Sequence, residues 1–109
     1  MSLGFRVVDS EIEGKTLHCG VVELENAVIA LFWEGAEPKL GSTSVALPGE
    51  TSTQLLGDRD QLLGRTLGTL VATRYGKMAL VSTNISRGYS EAIGRALMEL
   101  VKKVTEGKD

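Results

Sequence analysis

The chain has 109 residues, 42% of them hydrophobic and 24% charged, and its 12 basic and 14 acidic residues leave a net charge of −2. That length supports one core, hence a single domain over residues 1–109, and the composition is that of an ordinary globular chain. Without a basic excess there is no footprint for nucleic acid, and the lone cysteine, Cys19, excludes an internal disulfide.

Phe5 to Asp9 reads as a first strand, closed by the polar stretch Ser10 to Lys15 with Gly14 as the turn residue. Thr16 to Leu24 is a second strand, with Leu17, Cys19, Val21 and Glu23 on one face, and Glu25-Asn26 forms a tight turn. Ala27 to Trp33 is apolar throughout, the pattern of a central strand buried on both faces. After the loop Gly35-Ala36-Glu37-Pro38, Lys39 to Leu47 alternates as a fourth strand, stopped by Pro48-Gly49; Thr51 to Leu56 is a short fifth, ended by Gly57-Asp58.

The period then changes. Asp58 or Asp60 is a suitable cap for a helix running to about Tyr75, with Leu63, Leu67, Leu70 and Arg74 near one face and Gly76 as its left-handed end. Lys77 to Ile85 is a sixth strand. A second helix runs from near Ser90 to about Glu106, with Ile93, Leu97, Leu100, Val101 and Val104 forming a one-sided apolar stripe. Its opposite face places Glu91 before Arg95 and Glu99 before Lys103 at i, i+4; Lys102 and Lys103 complement the dipole, and Gly107 ends it. The expected fold is therefore α+β, in the order βββββαβα: a six-stranded antiparallel, meander-like sheet with two amphipathic helices on one face.

The catalytic inventory is poor. His18 and Cys19 are the chain's only His and Cys, and as strand neighbours they point to opposite faces, so they cannot act as nucleophile and base. They are also too few for a structural zinc site. Gly14-Lys15-Thr16 ends like a phosphate loop, but Asp9 occupies the position where that motif needs glycine, and Gly64 to Gly68 lies inside a helical pattern. No catalytic, cofactor-binding or metal-binding residue is assigned, and the protein is expected not to be an enzyme. Carboxylate acid–base chemistry is an alternative in which no Asp–Glu pair stands out.

The residues singled out for partner contact are Trp33, Gly64, Gly68 and Ala72. The last three form a small stripe at four-residue spacing, where each helical glycine costs up to about 1 kcal/mol relative to alanine and so implies close packing. That packing is against the chain's own sheet or its second helix, or against another chain. Trp33, the only tryptophan, closes the apolar strand beside an exposed loop, as a core plug or as an interface anchor.

Longer stretches carry a resemblance. Ala30-Leu-Phe-Trp-Glu-Gly-Ala-Glu-Pro-Lys-Leu40 resembles the strand–loop–strand of the proteasome assembly chaperone 4 family, Thr51-Ser-Thr-Gln-Leu-Leu-Gly-Asp58 its Ser/Thr-rich strand, and Lys77-Met-Ala-Leu-Val-Ser-Thr-Asn-Ile85 the strand between its helices. The similarity runs collinearly from about Val21 to Val104, and more weakly to proteasome assembly chaperone 3. It implies an antiparallel sheet with two helices, a homodimer or a heterodimer with a related chaperone, and binding of proteasome α subunits during α-ring assembly. The alternative from another class is a longin- or roadblock-like dimeric adaptor that scaffolds a small GTPase. No apolar run approaches the roughly 20 residues of a membrane helix, so no membrane association and a cytoplasmic location are expected.

Overall fold

The computed structural model describes residues 4–49, 53–56, 61–85 and 91–106. Its elements are β1 (Arg6–Ile12), β2 (Lys15–Glu23), β3 (Ala27–Glu34), β4 (Ser42–Ala46), β5 (Thr53–Leu56), α1 (Gln61–Tyr75), β6 (Met78–Asn84) and α2 (Glu91–Val104). The class is α+β. The cap candidates Asp58 and Asp60, the strand start at Thr51, the helix start at Ser90 and the helix end at Gly107 lie outside the described residues.

β1 extends three residues beyond its expected end at Asp9, because Ser10, Glu11 and Ile12 continue the ladder opposite Leu17, Thr16 and Lys15. The turn then narrows to Glu13-Gly14, whose φ values of 52° and 77° are both positive. A two-residue hairpin turn of this hand matches the twist of its flanking strands. The second hairpin turns at Glu25-Asn26, where the Leu24 N–H donates to the Ala27 carbonyl at 2.7 Å, and neither turn residue has a positive φ.

The meander expected from the strand order does not form. The strands lie in the order β1-β2-β3-β6-β4-β5; β6 inserts between β3 and β4, parallel to the first and antiparallel to the second. The sheet is therefore mixed, not antiparallel. Two features account for this. The β3–β4 connection spans residues 35–41, longer than the 2–5 residues of a hairpin loop, so these strands need not be neighbours. And a strand–helix–strand unit, β5-α1-β6, returns the chain to the end from which it started, giving β6 the direction of β5 and of β3.

β4 begins at Ser42, not Lys39, because Gly41 is clamped at the strand's entrance. Its N–H donates to Ser82 Oγ at 2.8 Å and its carbonyl accepts from Thr43 Oγ1 at 3.0 Å. A Cβ at Gly41 would sit 2.0 Å from the Thr83 carbonyl oxygen, so only glycine permits this approach of backbone to backbone.

Both helices cover one face. The core joins Leu17, Cys19, Val21, Val28, Ala30, Phe32, Ala79 and Val81 from the sheet to Leu67, Val71, Ile93, Leu97, Leu100, Val101 and Val104 from the helices. The stripe expected on α2 is the stripe it buries. Among the described side chains of α1 the buried residues are Gly64, Leu67, Gly68, Val71 and Ala72, while Leu70 is half-buried and Arg74 exposed; the side chain of Leu63 lies outside those described. The small stripe thus belongs to the face that α1 turns toward the molecule's interior, and Ser44 Oγ on β4 donates to the Gly64 carbonyl at 3.4 Å. Past Tyr75, Gly76 (φ 66°) donates to the Ala72 carbonyl at 2.8 Å and ends the helix as expected.

Candidate functional site

Strand alternation assigns every sheet residue to the helix-covered face or to the opposite one. Register carries that assignment from strand to strand: His18, Gly20 and Val22 on β2 share the uncovered face with Trp33, Leu31 and Ile29 on β3. Ile29 and Leu31 align with Leu80 and Ser82 on β6, and these with Val45 and Thr43 on β4. Val7 and Asp9 extend the face onto β1, opposite Gly20 and His18.

This face is apolar and lacks a covering layer among the described residues. Phe5, Val7 and Met78, which lie on it, are 51%, 47% and 41% exposed, and Leu47, one residue beyond β4, is 45% exposed. Ala27, Ile29, Leu31, Leu80 and Val45 are half-buried only by their neighbours in the sheet. The double burial expected of β3 is only partly met: Val28, Ala30 and Phe32 lie fully under the helices, and on the other face Trp33 is buried while Ala27, Ile29 and Leu31 are half-buried. Four strands spaced about 4.8 Å apart and carrying rows of some five residues span roughly 300 Å² of sheet plane.

Trp33 forms the floor at one corner of this face. It is 5% exposed, and its ring lies over Gly20, where an added Cβ would meet the ring at 3.2 Å and Phe5 at 3.5 Å. The His18 imidazole stacks on it, with centroids 5.0 Å apart and planes at 19°. His18 Nδ1 pairs across the hairpin with the Asp9 carboxylate, the histidine mostly shielded and the carboxylate 57% exposed. The indole N–H finds no acceptor among the described residues.

The grouping of Asp9, His18 and Trp33 was missed from sequence, although a signal existed. A two-residue turn at Glu25-Asn26 pairs Leu24 with Ala27, and counting outward sets His18 opposite Trp33. The same count from Glu13-Gly14 sets Asp9 opposite His18.

The other singled-out residues lie elsewhere. Gly64, Gly68 and Ala72 are buried on the helix side of the sheet and are not brought together with Trp33. Cys19 faces the core, opposite to His18, and burial pushes its thiol up to about 12. The Tyr75 hydroxyl is raised above its usual range by burial, then by the Glu23 carboxylate and Cys19, while Arg6 and Arg74 pull the other way. Lys77 Nζ ties this end together by donating to Glu23 and to the Leu24 carbonyl, each at 2.7 Å. Among the described residues no cluster of His, Cys, Asp and Glu fits a metal ion, and no helix is long and apolar enough to cross a membrane.

No protein-family model matches the chain, and no curated protein does so either. Among solved structures, the chain is similar to a component of a chaperone complex for yeast 20S proteasome assembly, with a TM-score of 0.66 at 15% identity over 94% of this chain and 92% of that one. At that identity the likeness is one of fold.

Proposed function

We propose that this protein is a non-enzymatic assembly chaperone that pairs through its uncovered sheet face and binds proteasome α subunits to promote α-ring formation in the cytoplasm. The observation that carries the reading is the apolar face itself: among the described residues, four of the five exposed large hydrophobics lie on it or at its margin, Phe5, Val7, Leu47 and Met78. Helices already cover one side, so the complementary occupant of the other is a second sheet of the same fold. Stacking two such sheets about 10 Å apart gives a sandwich with helices on the outside. The occupant is a second copy or a related chaperone chain. The shared fold with a component of a yeast proteasome assembly chaperone complex supports the choice of client.

A pairing surface on the sheet leaves the loop ends free for the client. The loop 35–41 is exposed almost throughout and presents Leu40, 66% exposed, with its backbone carbonyl held by Asn84 Nδ2 at 3.1 Å. We assign the client contact to this end of the sheet. Within the pairing surface the role proposed for Trp33 is that of the corner floor, while the buried stripe of Gly64, Gly68 and Ala72 supports α1 from within.

The test is size-exclusion chromatography with light scattering, on the chain alone and mixed with each proteasome α subunit from its own source. Paired chains that co-elute with one α subunit are the expected result, and Leu40→Asp should weaken co-elution without changing the mass of the chain alone. A dimer that ignores every α subunit, or that retains a small GTPase instead, contradicts the chaperone reading.

A further inference from the structure

Of the exposed large hydrophobics among the described residues, Leu40 is the most exposed, at 66%, and it stands in the loop 35–41 rather than on the sheet. A single exposed leucine is ordinary; what sets Leu40 apart is the backbone beneath it. The peptide unit that joins Leu40 to Gly41 is held at both of its polar atoms by side chains of β6. Its carbonyl accepts from Asn84 Nδ2 at 3.1 Å, and its N–H donates to Ser82 Oγ at 2.8 Å. Ser82 and Asn84 are two residues apart on one strand, so they project from the same face of the sheet and take the two ends of one peptide.

Further restraints act on the same stretch. The Gly41 carbonyl accepts from Thr43 Oγ1 at 3.0 Å, and Gly41 lies against the backbone of Thr83. Pro38 sets its own φ and biases Glu37 toward extended backbone. The ladder between β4 and β6 begins only afterwards, at Ser42 opposite Thr83, and residues 35–40 are exposed throughout, so the clamp buries no core side chain of the loop. Exposed connections are ordinarily mobile; this one is fixed where it carries its largest apolar side chain. Ordering a loop on binding subtracts from affinity, and a backbone already held in the free chain removes that cost. The flanking Glu37 and Lys39 are exposed and opposite in sign, so the segment has no net charge and fits an apolar pocket on a folded protein rather than a polyanion.

We infer that Leu40 is a preorganised anchor that enters an apolar pocket on the client protein, and that Asn84 and Ser82 are positioning residues which act through it by fixing the Leu40–Gly41 peptide. The inference rests on the client contact proposed for this end of the sheet. It adds the side chain that makes the contact, the chemistry of the surface that receives it and the residues that hold it in place.

A double-mutant cycle tests this. Isothermal titration calorimetry against the proteasome α subunit that co-elutes with the chain gives dissociation constants for wild type, Leu40→Ala, Asn84→Ala and the double variant. Leu40→Ala is expected to weaken binding about tenfold, and Asn84→Ala about fivefold in the wild-type background but less than about twofold beside Leu40→Ala, as for residues that act together. Circular dichroism verifies that each variant is folded, light scattering that each keeps the mass of the wild-type chain, and Asn84→Asp, which removes the donor at constant size, serves should Asn84→Ala unfold. Wild-type affinity in Asn84→Ala, or a loss there that persists in full beside Leu40→Ala, overturns the positioning role. Wild-type affinity in Leu40→Ala overturns the anchor while leaving the client reading intact. A wild-type chain that retains no α subunit overturns that reading and the anchor with it.

Discussion

At the scale of single residues, the fold rests on a few positions where atoms approach so closely that one substitution is decisive. Gly41 is the sharpest: with the Thr83 carbonyl oxygen 2.0 Å from the position a Cβ would occupy, Gly41→Ala must displace backbone. We expect a loss of about 2 kcal/mol or more, read as a lower urea midpoint. Leu97, wholly buried beneath α2, should cost about 2–5 kcal/mol on change to Ala, the range for emptied core sites. Cys19 gives a prediction in pH. Its thiol, at about 12 in the folded chain against 9.0 unperturbed, stays protonated while the unfolded thiol ionises. The stability it contributes is therefore complete below about pH 9 and is lost as pH rises from there to about 12. Urea midpoints should fall from pH 8 to pH 10.5, less steeply in Cys19→Ala, and in native buffer the thiol should resist a disulfide reagent that labels it rapidly in urea. Glu91 and Arg95, paired at 2.5 Å but 85% and 70% exposed, should by contrast contribute at most about 0.5 kcal/mol.

Whole elements show which physical signals survive in a sequence and which do not. α2 was legible because Ile93, Leu97, Leu100, Val101 and Val104 declare its buried face unaided. The orientation of α1 was not, because its buried face is built around Gly64, Gly68 and Ala72, residues that carry almost no hydropathy signal. At Gly64 the helix is in ordinary contact with β4: Ser44 donates to its carbonyl, and an added Cβ would meet Ser44 Oγ at 3.7 Å. Gly68→Leu should accordingly lower the melting temperature of the isolated chain by crowding; unchanged melting would place that glycine outside any tight contact. The place of β6 was hidden for a different reason. Alternation identifies a strand but is silent about its neighbours, and only the crossover β5-α1-β6, together with the long loop 35–41, dictates insertion beside β3. Even charge spacing misleads at this level: Glu99 pairs with Lys102 at 3.4 Å, whereas Lys103, expected to be its partner, bonds the Asp9 carbonyl of the edge strand. A lysine lying along an edge strand's backbone is one way to discourage unwanted strand addition.

For the molecule as a whole, the decisive feature is asymmetry: one sheet face lies under two helices, and the other, largely apolar, has no covering layer among the described residues. β3 registers this directly, since its uninterrupted apolar run matches a strand buried twice, yet among the described residues one face is fully buried and the other, Trp33 apart, half-buried. The candidate site was therefore half legible. The sequence marked β3 and Trp33, but the corner with Asp9 and His18 needs the register of two hairpins, and the extent of the face needs the position of β6. The proposal that this face is the pairing surface is tested most directly by sedimentation of wild type beside Leu31→Glu. Leu31 is half-buried at the centre of the bare face and outside the core beneath the helices, so the change leaves the folded chain intact and places a charge where the second sheet would lie. An unpaired charge buried in an interface costs about 2–5 kcal/mol. A wild-type dimer and a folded Leu31→Glu monomer are the expected pair of results; a Leu31→Glu chain that dimerises as tightly as wild type would contradict the assignment of that face.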